Sequence, residues 1–92
     1  MIVRILGEGQ FDVPETAIQE LNRLDDALMA AVAAAEDVPF RAALLALTEQ
    51  VRSLGTVLSD ETLLPSEAIL PPADIDLAEM QALLGAEGLI PG

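Results

Sequence analysis

Two long apolar stripes at helical spacing dominate the chain. The first stripe consists of Ile18, Leu21, Leu24, Leu28 and Val32, and the second of Phe40, Leu44, Leu47, Val51 and Leu54. Spacings of three and four residues predict two amphipathic helices, the first ending near Glu36 and the second beginning at Phe40 and stopping at Gly55. The link of residues 37–39 is so short that the two helices are expected to run antiparallel.

The chain begins with a different pattern. Residues 1–6 alternate and are rich in Ile and Val, which predicts one short strand. Gly7-Glu8-Gly9-Gln10 is expected to form the turn that ends this strand, with positive φ at its glycines. A phosphate-binding loop is disfavoured there, because a third glycine is missing and Glu8 would repel phosphate. Pro14 suits the first turn of the helix that follows.

The last third of the chain is irregular and short of strong signals. Residues 67–70 precede Pro71 and are expected to be extended. Asp76 followed by Glu79 predicts the start of a third helix, whose inward residues would be Leu77, Met80, Leu83 and Leu84 and whose end would be Gly85. Residues 88–91 are expected to be extended and to pair with residues 2–6.

These patterns predict a small α+β fold that forms a single domain over residues 1–92. It would contain a long antiparallel helical hairpin, a third short helix, and two or three short strands formed by the N-terminus, the connector and the C-terminus. A chain of 92 residues with 52% apolar residues is long enough to bury one core, although only two of its residues are aromatic.

The residue inventory excludes several kinds of chemistry. The chain has no Cys, His, Lys, Tyr or Trp. Disulfides, thiolate chemistry, zinc sites with nitrogen or sulfur ligands, Schiff bases and Ser-His or Cys-His pairs are therefore ruled out. We expect no enzyme activity and no cofactor; a hydrolase that uses paired carboxylates is the remaining catalytic alternative. Asp74, Asp76 and Glu79 have a metal-like spacing, but the last two are already explained as a helix cap, so no metal is expected.

The charge balance indicates the kind of partner. Sixteen acidic residues against four Arg give a formal net charge of −12. Such a field repels phosphate backbones and anionic lipid headgroups, so we expect no nucleic-acid binding and no direct membrane contact. The longest uncharged run, residues 27–35, is about half of the roughly 18 residues that a membrane span needs. Another protein is the expected partner, and the cytoplasm is the expected location.

One line on the second helix is a candidate docking surface. Arg41, Leu45 and Arg52 share one angular position, since seven and eleven residues at about 100° each return close to the start. That position lies about 100° or more from the centre of the apolar stripe, and it carries half of the positive charge. The line would suit an acidic or amphipathic partner helix. In the alternative, both Arg pair with acids of the neighbouring helix or loops, and Leu45 packs under the connector.

The ends of the chain resemble the PspA-associated protein family, PspAA. The most specific segments are the first eleven residues, which include Gly7, Glu8, Gly9, Gln10 and Phe11, and the terminal segment Gly88, Leu89, Ile90 and Pro91. Residues 21–25, Pro65-Ser66 and residues 69–74 add to the similarity, which covers essentially the whole chain.

The resemblance implies an accessory or regulatory role beside PspA, the long helical coiled-coil protein of the phage-shock envelope-stress response. It also implies a cytoplasmic protein that could reach the membrane periphery through PspA, and it brings no catalytic residues. The expected partner is a PspA-like coiled coil. A self-assembling structural homo-oligomer without a PspA contact is the alternative.

The charge excess generates a stability prediction. A compact body at −12 repels itself more than its unfolded chain does, and salt shortens the range of that repulsion to about 8 Å at physiological ionic strength. The melting temperature should therefore rise as sodium chloride increases from about 10 mM to about 500 mM. A flat or falling curve in scanning calorimetry would contradict this.

Overall fold

A computed structural model describes residues 1–59, 65–72 and 74–83. Its strands are β1 Ile2–Ile5, β2 Gly9–Asp12, β3 Thr56–Val57 and β4 Ala68–Leu70, and its helices are α1 Ile18–Ala33, α2 Asp37–Leu54 and α3 Leu77–Leu83. A short 3-10 turn, Glu15–Ala17, leads into α1. The molecule is a small α+β domain with a helical hairpin, a third short helix and a mixed sheet, as the sequence predicts.

The sheet is built around β1. Among the described residues its strand order is β3-β2-β1-β4. β1 pairs antiparallel with β2, with Val3 opposite Phe11, and parallel with β4, with Val3 opposite Ala68. β3 extends the sheet beyond β2. β1 therefore has a neighbouring strand on each of its edges. Residues 88–91, which the sequence places beside this strand, lie outside the described residues.

One continuous core joins the inner face of the sheet to the helices. Alternate residues of β1, Val3 and Ile5, are fully buried, and Phe11 joins them from β2. α1 contributes Leu21, Leu28 and Val32, and α2 contributes Phe40, Leu44, Leu47 and Val51. Each fully buried side chain of this size contributes about 1.5–3 kcal/mol relative to exposure. The packed stripes therefore hold the hairpin against one face of the sheet.

The two long helices confirm the predicted stripes with shifted ends. Within the first stripe Ile18 and Leu24 are only half-buried, and at the end of the second Leu54 is 39% exposed because the chain turns at Gly55 toward β2. α2 begins at Asp37 rather than at Phe40. Pro39 does not interrupt it, since a first-turn residue has no intrahelical partner for its N–H and proline loses nothing there.

The first helix ends at Ala33, earlier than the predicted Glu36, because Ala35 takes a left-handed conformation with φ of 54°. The Ala35 N–H donates to the Val32 carbonyl, and the Glu36 N–H donates to the Ala31 carbonyl, both within 3.2 Å. This is the Schellman arrangement, which usually places glycine where Ala35 stands. It reverses the chain in three residues and so starts α2.

The turn after β1 is tighter than predicted. Gly9 and Gln10 do not belong to it but begin β2, which continues through Phe11 to Asp12, so the helix starts later than expected. β2 has too few apolar residues to give a period of two, and pairing with β1 fixes it as a strand. The two-residue edge strand β3 was not predicted for the same reason. The extended segment before Pro71 is confirmed as β4.

The third helix has the predicted start. The Glu79 N–H donates to Asp76 Oδ1 at 2.7 Å, so Asp76 is its N-terminal cap. Met80 is fully buried and Leu77 packs against the core. The side chain of Leu83, and the predicted Leu84 contact and Gly85 end, lie outside what the structure describes.

The left-handed alanine generates a test. Replacing Ala35 by Gly removes a strain of about 1–2 kcal/mol, and the greater freedom of glycine in the unfolded chain offsets about 0.5–1 kcal/mol of the gain. Ala35→Gly should raise the melting temperature by about 2–4 °C. Ala34→Gly is the matched control, since Ala34 has an ordinary right-handed φ of −78°, and it should lower the melting temperature. A decrease with Ala35→Gly would contradict the account.

Candidate functional site

The predicted line on α2 lies on the surface. Leu45 is 49% exposed, and the Arg52 side chain is 37% exposed. Arg41 is half-buried. All three stand about 100° or more from the centre of the stripe that packs in the core, which explains why an apolar residue on this line is left outside. Leu45 is therefore not packed beneath the connector among the described residues.

Arg41 is engaged within the chain. Its guanidinium lies 5.2 Å from the centroid of the Phe40 ring, a cation–π distance. It has at least one further interaction within the chain. Because Phe40 is fully buried, this contact holds the Arg41 guanidinium against the edge of the core.

Arg52 makes a two-pronged contact with the β1–β2 turn. Its Nε donates to Glu8 Oε1 at 2.6 Å, and its Nη2 donates to Glu8 Oε2 at 2.5 Å. The hydrogen bonds, and the guanidinium charge after them, lower the pKa of the Glu8 carboxyl below its ordinary value of 4.5. The same contact raises the pKa of Arg52, with a smaller contribution from Glu49. The alternative of intramolecular pairing is confirmed for Arg52, whose partner belongs to a loop.

This contact joins two features that the sequence treats separately. Glu8 belongs to the N-terminal segment that resembles a known family, and Arg52 lies 44 residues later, near the end of α2. A sequence gives no signal for a pair over this separation, because neither helical nor strand spacing relates the two positions. The β1–β2 turn and the end of the predicted line on α2 are therefore in contact and form one surface.

The other residues of the N-terminal segment have structural roles. Gly7 and Gly9 take φ of 88° and 118°, so the predicted positive φ is confirmed at both glycines, although Gly9 is the first residue of β2 rather than part of the turn. Phe11 is buried in the core, and Gln10 is 6% exposed, with its Nε2 donating to Ser66 Oγ at 2.8 Å. Glu8 is the acidic residue of this segment, and its side chain is 34% exposed. Gly88, Leu89, Ile90 and Pro91 lie outside the described residues.

Val38 extends the exposed line and was missed by sequence reasoning. It is 79% exposed and lies seven residues before Leu45, within the first turn of α2. The spacing of seven was available as a signal, but Pro39 suggested that residues 37–39 form a loop. We call Val38, Arg41, Leu45 and Arg52 the α2 line from here on.

Other candidate sites are weak in the described part of the chain. Residues 1–59, 65–72 and 74–83 contain no group of three acidic residues placed to hold a metal ion. Asp76, a member of the metal-like spacing, accepts the capping bond of α3 instead. No helix within these ranges is long and apolar enough to cross a membrane.

The fold and surface define a small acidic α+β domain in which a helical hairpin covers one face of a mixed sheet. The family model described as PspA-Associated protein matches residues 1–92, the whole chain. The chain therefore belongs to the PspA-associated protein family, which confirms the resemblance seen in the sequence. The name of the family suggests a link to PspA. Comparisons with curated proteins and with solved structures gave no match.

The Glu8–Arg52 contact predicts a pH dependence. The folded-state pKa of Glu8 is lowered, so the contact adds stability above the unfolded pKa of about 4.5 and loses it as pH falls through the lower folded value. Wild type should exceed Glu8→Gln in unfolding free energy by at most about 1 kcal/mol at pH 7, since the pair is partly exposed. Urea titrations should show this difference shrinking below about pH 4.5.

Carboxyl-carbon NMR gives a direct check on the same contact. The titration midpoint of Glu8 should rise when Arg52 is replaced by Gln, because both hydrogen bonds are then lost. An unchanged midpoint in Arg52→Gln would show that the contact does not form in solution.

Proposed function

We propose that this protein is a non-enzymatic accessory and regulatory module of the PspA envelope-stress response, and that it binds a PspA-like coiled coil through the α2 line. Membership of the PspA-associated family is the observation that carries the proposal. The residues argued to make the contact are Arg41, Leu45 and Arg52, with Val38 at the end of the same line.

The exposed apolar residues supply the binding energy in this proposal. Leu45 is half exposed and Val38 almost fully so, although the core of the domain is complete without them. Burial of their apolar area by a partner is favourable, and Arg is enriched at protein interfaces because it combines a charge with an apolar stem. The two Arg would set the register of the partner, and Leu45 would be the buried anchor.

The geometry of the line favours a helical partner. The three residues Arg41, Leu45 and Arg52 recur at intervals of four and seven, which place side chains on one side of a helix. A helix that lies along α2 meets side chains at these intervals, as in helix-on-helix and helix-in-groove recognition. The resemblance implies that PspA offers long helices of this kind.

The homo-oligomer remains a competing function, and charge argues against it. Two copies at −12 each would repel one another, whereas a partner of opposite net charge would be attracted. Light scattering on the pure chain tests it: a mass that grows with concentration in wild type and falls to the monomer in Leu45→Ala would favour self-assembly.

The proposed location follows from the partner. We place the protein in the cytoplasm, and at the membrane periphery when PspA is itself at the membrane. Neither nucleic acid nor direct membrane insertion forms part of the proposal, since the negative field opposes both.

Titration calorimetry against the purified PspA of the same organism tests the contact. Leu45→Ala should weaken binding about tenfold, and Arg41→Glu combined with Arg52→Glu should weaken it by at least about that factor, equivalent to about 1.4 kcal/mol. The apolar change is the cleaner test, because Leu45→Ala leaves every charge of the chain unaltered, whereas the double variant reverses two charges.

A matched control distinguishes the loss of a docking contact from the loss of any exposed apolar side chain. Ile69 is 52% exposed on β4, close to the value for Leu45, but it lies on the sheet rather than on α2. Ile69→Ala should leave the affinity unchanged. Circular dichroism should show that all variants fold. Unchanged affinity in folded Leu45→Ala and in the double Arg variant would exclude the α2 line as the docking surface.

A further inference from the structure

The α2 line has a regular repeat that specifies its partner more closely. Val38, Leu45 and Arg52 are spaced by seven residues, and their side chains are all more than a third exposed. From Val38 to Arg52 is a step of 14 positions, which rises about 21 Å along the helix axis. Two helices that cross at about 20° stay in contact over such a length, and they meet at seven-residue intervals.

The third position of this repeat is already occupied by a carboxylate. Glu8 takes both the Nε and the Nη2 donors of Arg52. Two parallel N–H donors bind the two oxygens of one carboxylate. An Asp or Glu of a partner would form the same pair of hydrogen bonds with Arg52. The Glu8 contact therefore shows that a carboxylate fits at Arg52, and Glu8 itself occupies that place.

A partner carboxylate cannot simply be added to the filled contact. Glu8 neutralises Arg52, Glu49 adds a second negative charge nearby, and the whole chain stands at −12. A further carboxylate would meet net repulsion unless Glu8 leaves. Glu8 is able to leave, because it is on a surface turn and its side chain is 34% exposed.

We infer that the α2 line binds a single partner helix that packs two apolar side chains against Val38 and Leu45 and places a carboxylate on Arg52 in exchange for Glu8. The inference rests on the proposed function, which supplies PspA as the helical partner. Glu8 is then an intramolecular competitor. A helix without a suitably spaced carboxylate leaves Glu8 in place and gains contact only at Val38 and Leu45.

A second copy of the chain is the less suitable occupant. Apart from the repulsion between two bodies at −12, a face-to-face antiparallel pairing of two α2 helices would set Arg52 of each copy opposite Val38 of the other. The partner copy would then offer no carboxylate to replace Glu8 on Arg52. Charge and spacing together favour a different chain.

A double-mutant cycle on the Glu8–Arg52 contact tests the exchange, with the purified PspA of the same organism as the probe. Glu8→Gln should tighten binding about three- to fivefold, the range expected for removing a competitor held by a surface ion pair. Arg52→Gln should weaken binding. Glu8→Gln should have no effect when Arg52 is already Gln, because there is then no donor pair to release.

The control is Glu79→Gln, which removes the same charge from an exposed position on α3, away from the β1–β2 turn. It should change the affinity less than Glu8→Gln does. If Glu8→Gln weakens binding or leaves it unchanged, the exchange is overturned, while a weakened Leu45→Ala keeps the proposed function intact. Equal tightening by Glu8→Gln with and without Arg52 also overturns it, since a general charge effect then suffices. Absence of PspA binding by the wild type overturns both the exchange and the proposed function.

Discussion

The packing of two helical stripes onto one face of β1 is the contact on which the rest of the structure depends. β1 has strands on both edges, and its fully buried Val3 and Ile5 point into the core that the hairpin covers. With only two aromatic residues in the chain, this core is assembled from many aliphatic side chains. Because α2 buries Phe40, Leu44, Leu47 and Val51 in that core, the rotation of α2 about its own axis is fixed.

That orientation decides what is presented to solvent. The α2 line lies about 100° or more from the buried stripe, so Val38 and Leu45 stay outside however well the core packs. At the other end of α2, Gly55 brings the chain against β2: a Cβ there would lie 3.1 Å from the Phe11 Cβ and 2.7 Å from the Val51 carbonyl oxygen. The close approach of helix end and β-hairpin places Arg52 within reach of Glu8.

The spacing of apolar residues predicted those elements of the fold in which many residues follow one pattern. Both long helices, the strand β1, the extended segment before Pro71 and the Asp76 cap follow from spacing or from the chemistry of single residues. The predictions are wrong or incomplete where only a few residues determine the local structure. β2 and β3 are defined by pairing rather than by their own pattern, and the end of α1 depends on Ala35 in a conformation that glycine normally takes.

On the surface, too, the features set by a regular spacing were predicted and those set by long-range contacts were not. The angular position of Arg41, Leu45 and Arg52 follows from helix geometry alone, and the exposure of Leu45 agrees with it. Val38 was missed because residues 37–39 were interpreted as the link between the two helices, whereas Pro39 occupies the first turn of α2. The Glu8–Arg52 contact could not be predicted, because it depends on how the end of α2 meets the β-hairpin in three dimensions.

The central claim is that PspA contacts this protein on the outer side of α2. Methyl NMR spectra of the labelled protein, recorded while purified PspA is added, test it most directly. The account predicts that the methyl signals of Val38 and Leu45 shift or broaden at the lowest PspA concentrations, while that of Ile69 on the sheet is unaffected. Early changes at Ile69 with Val38 and Leu45 unperturbed would contradict it.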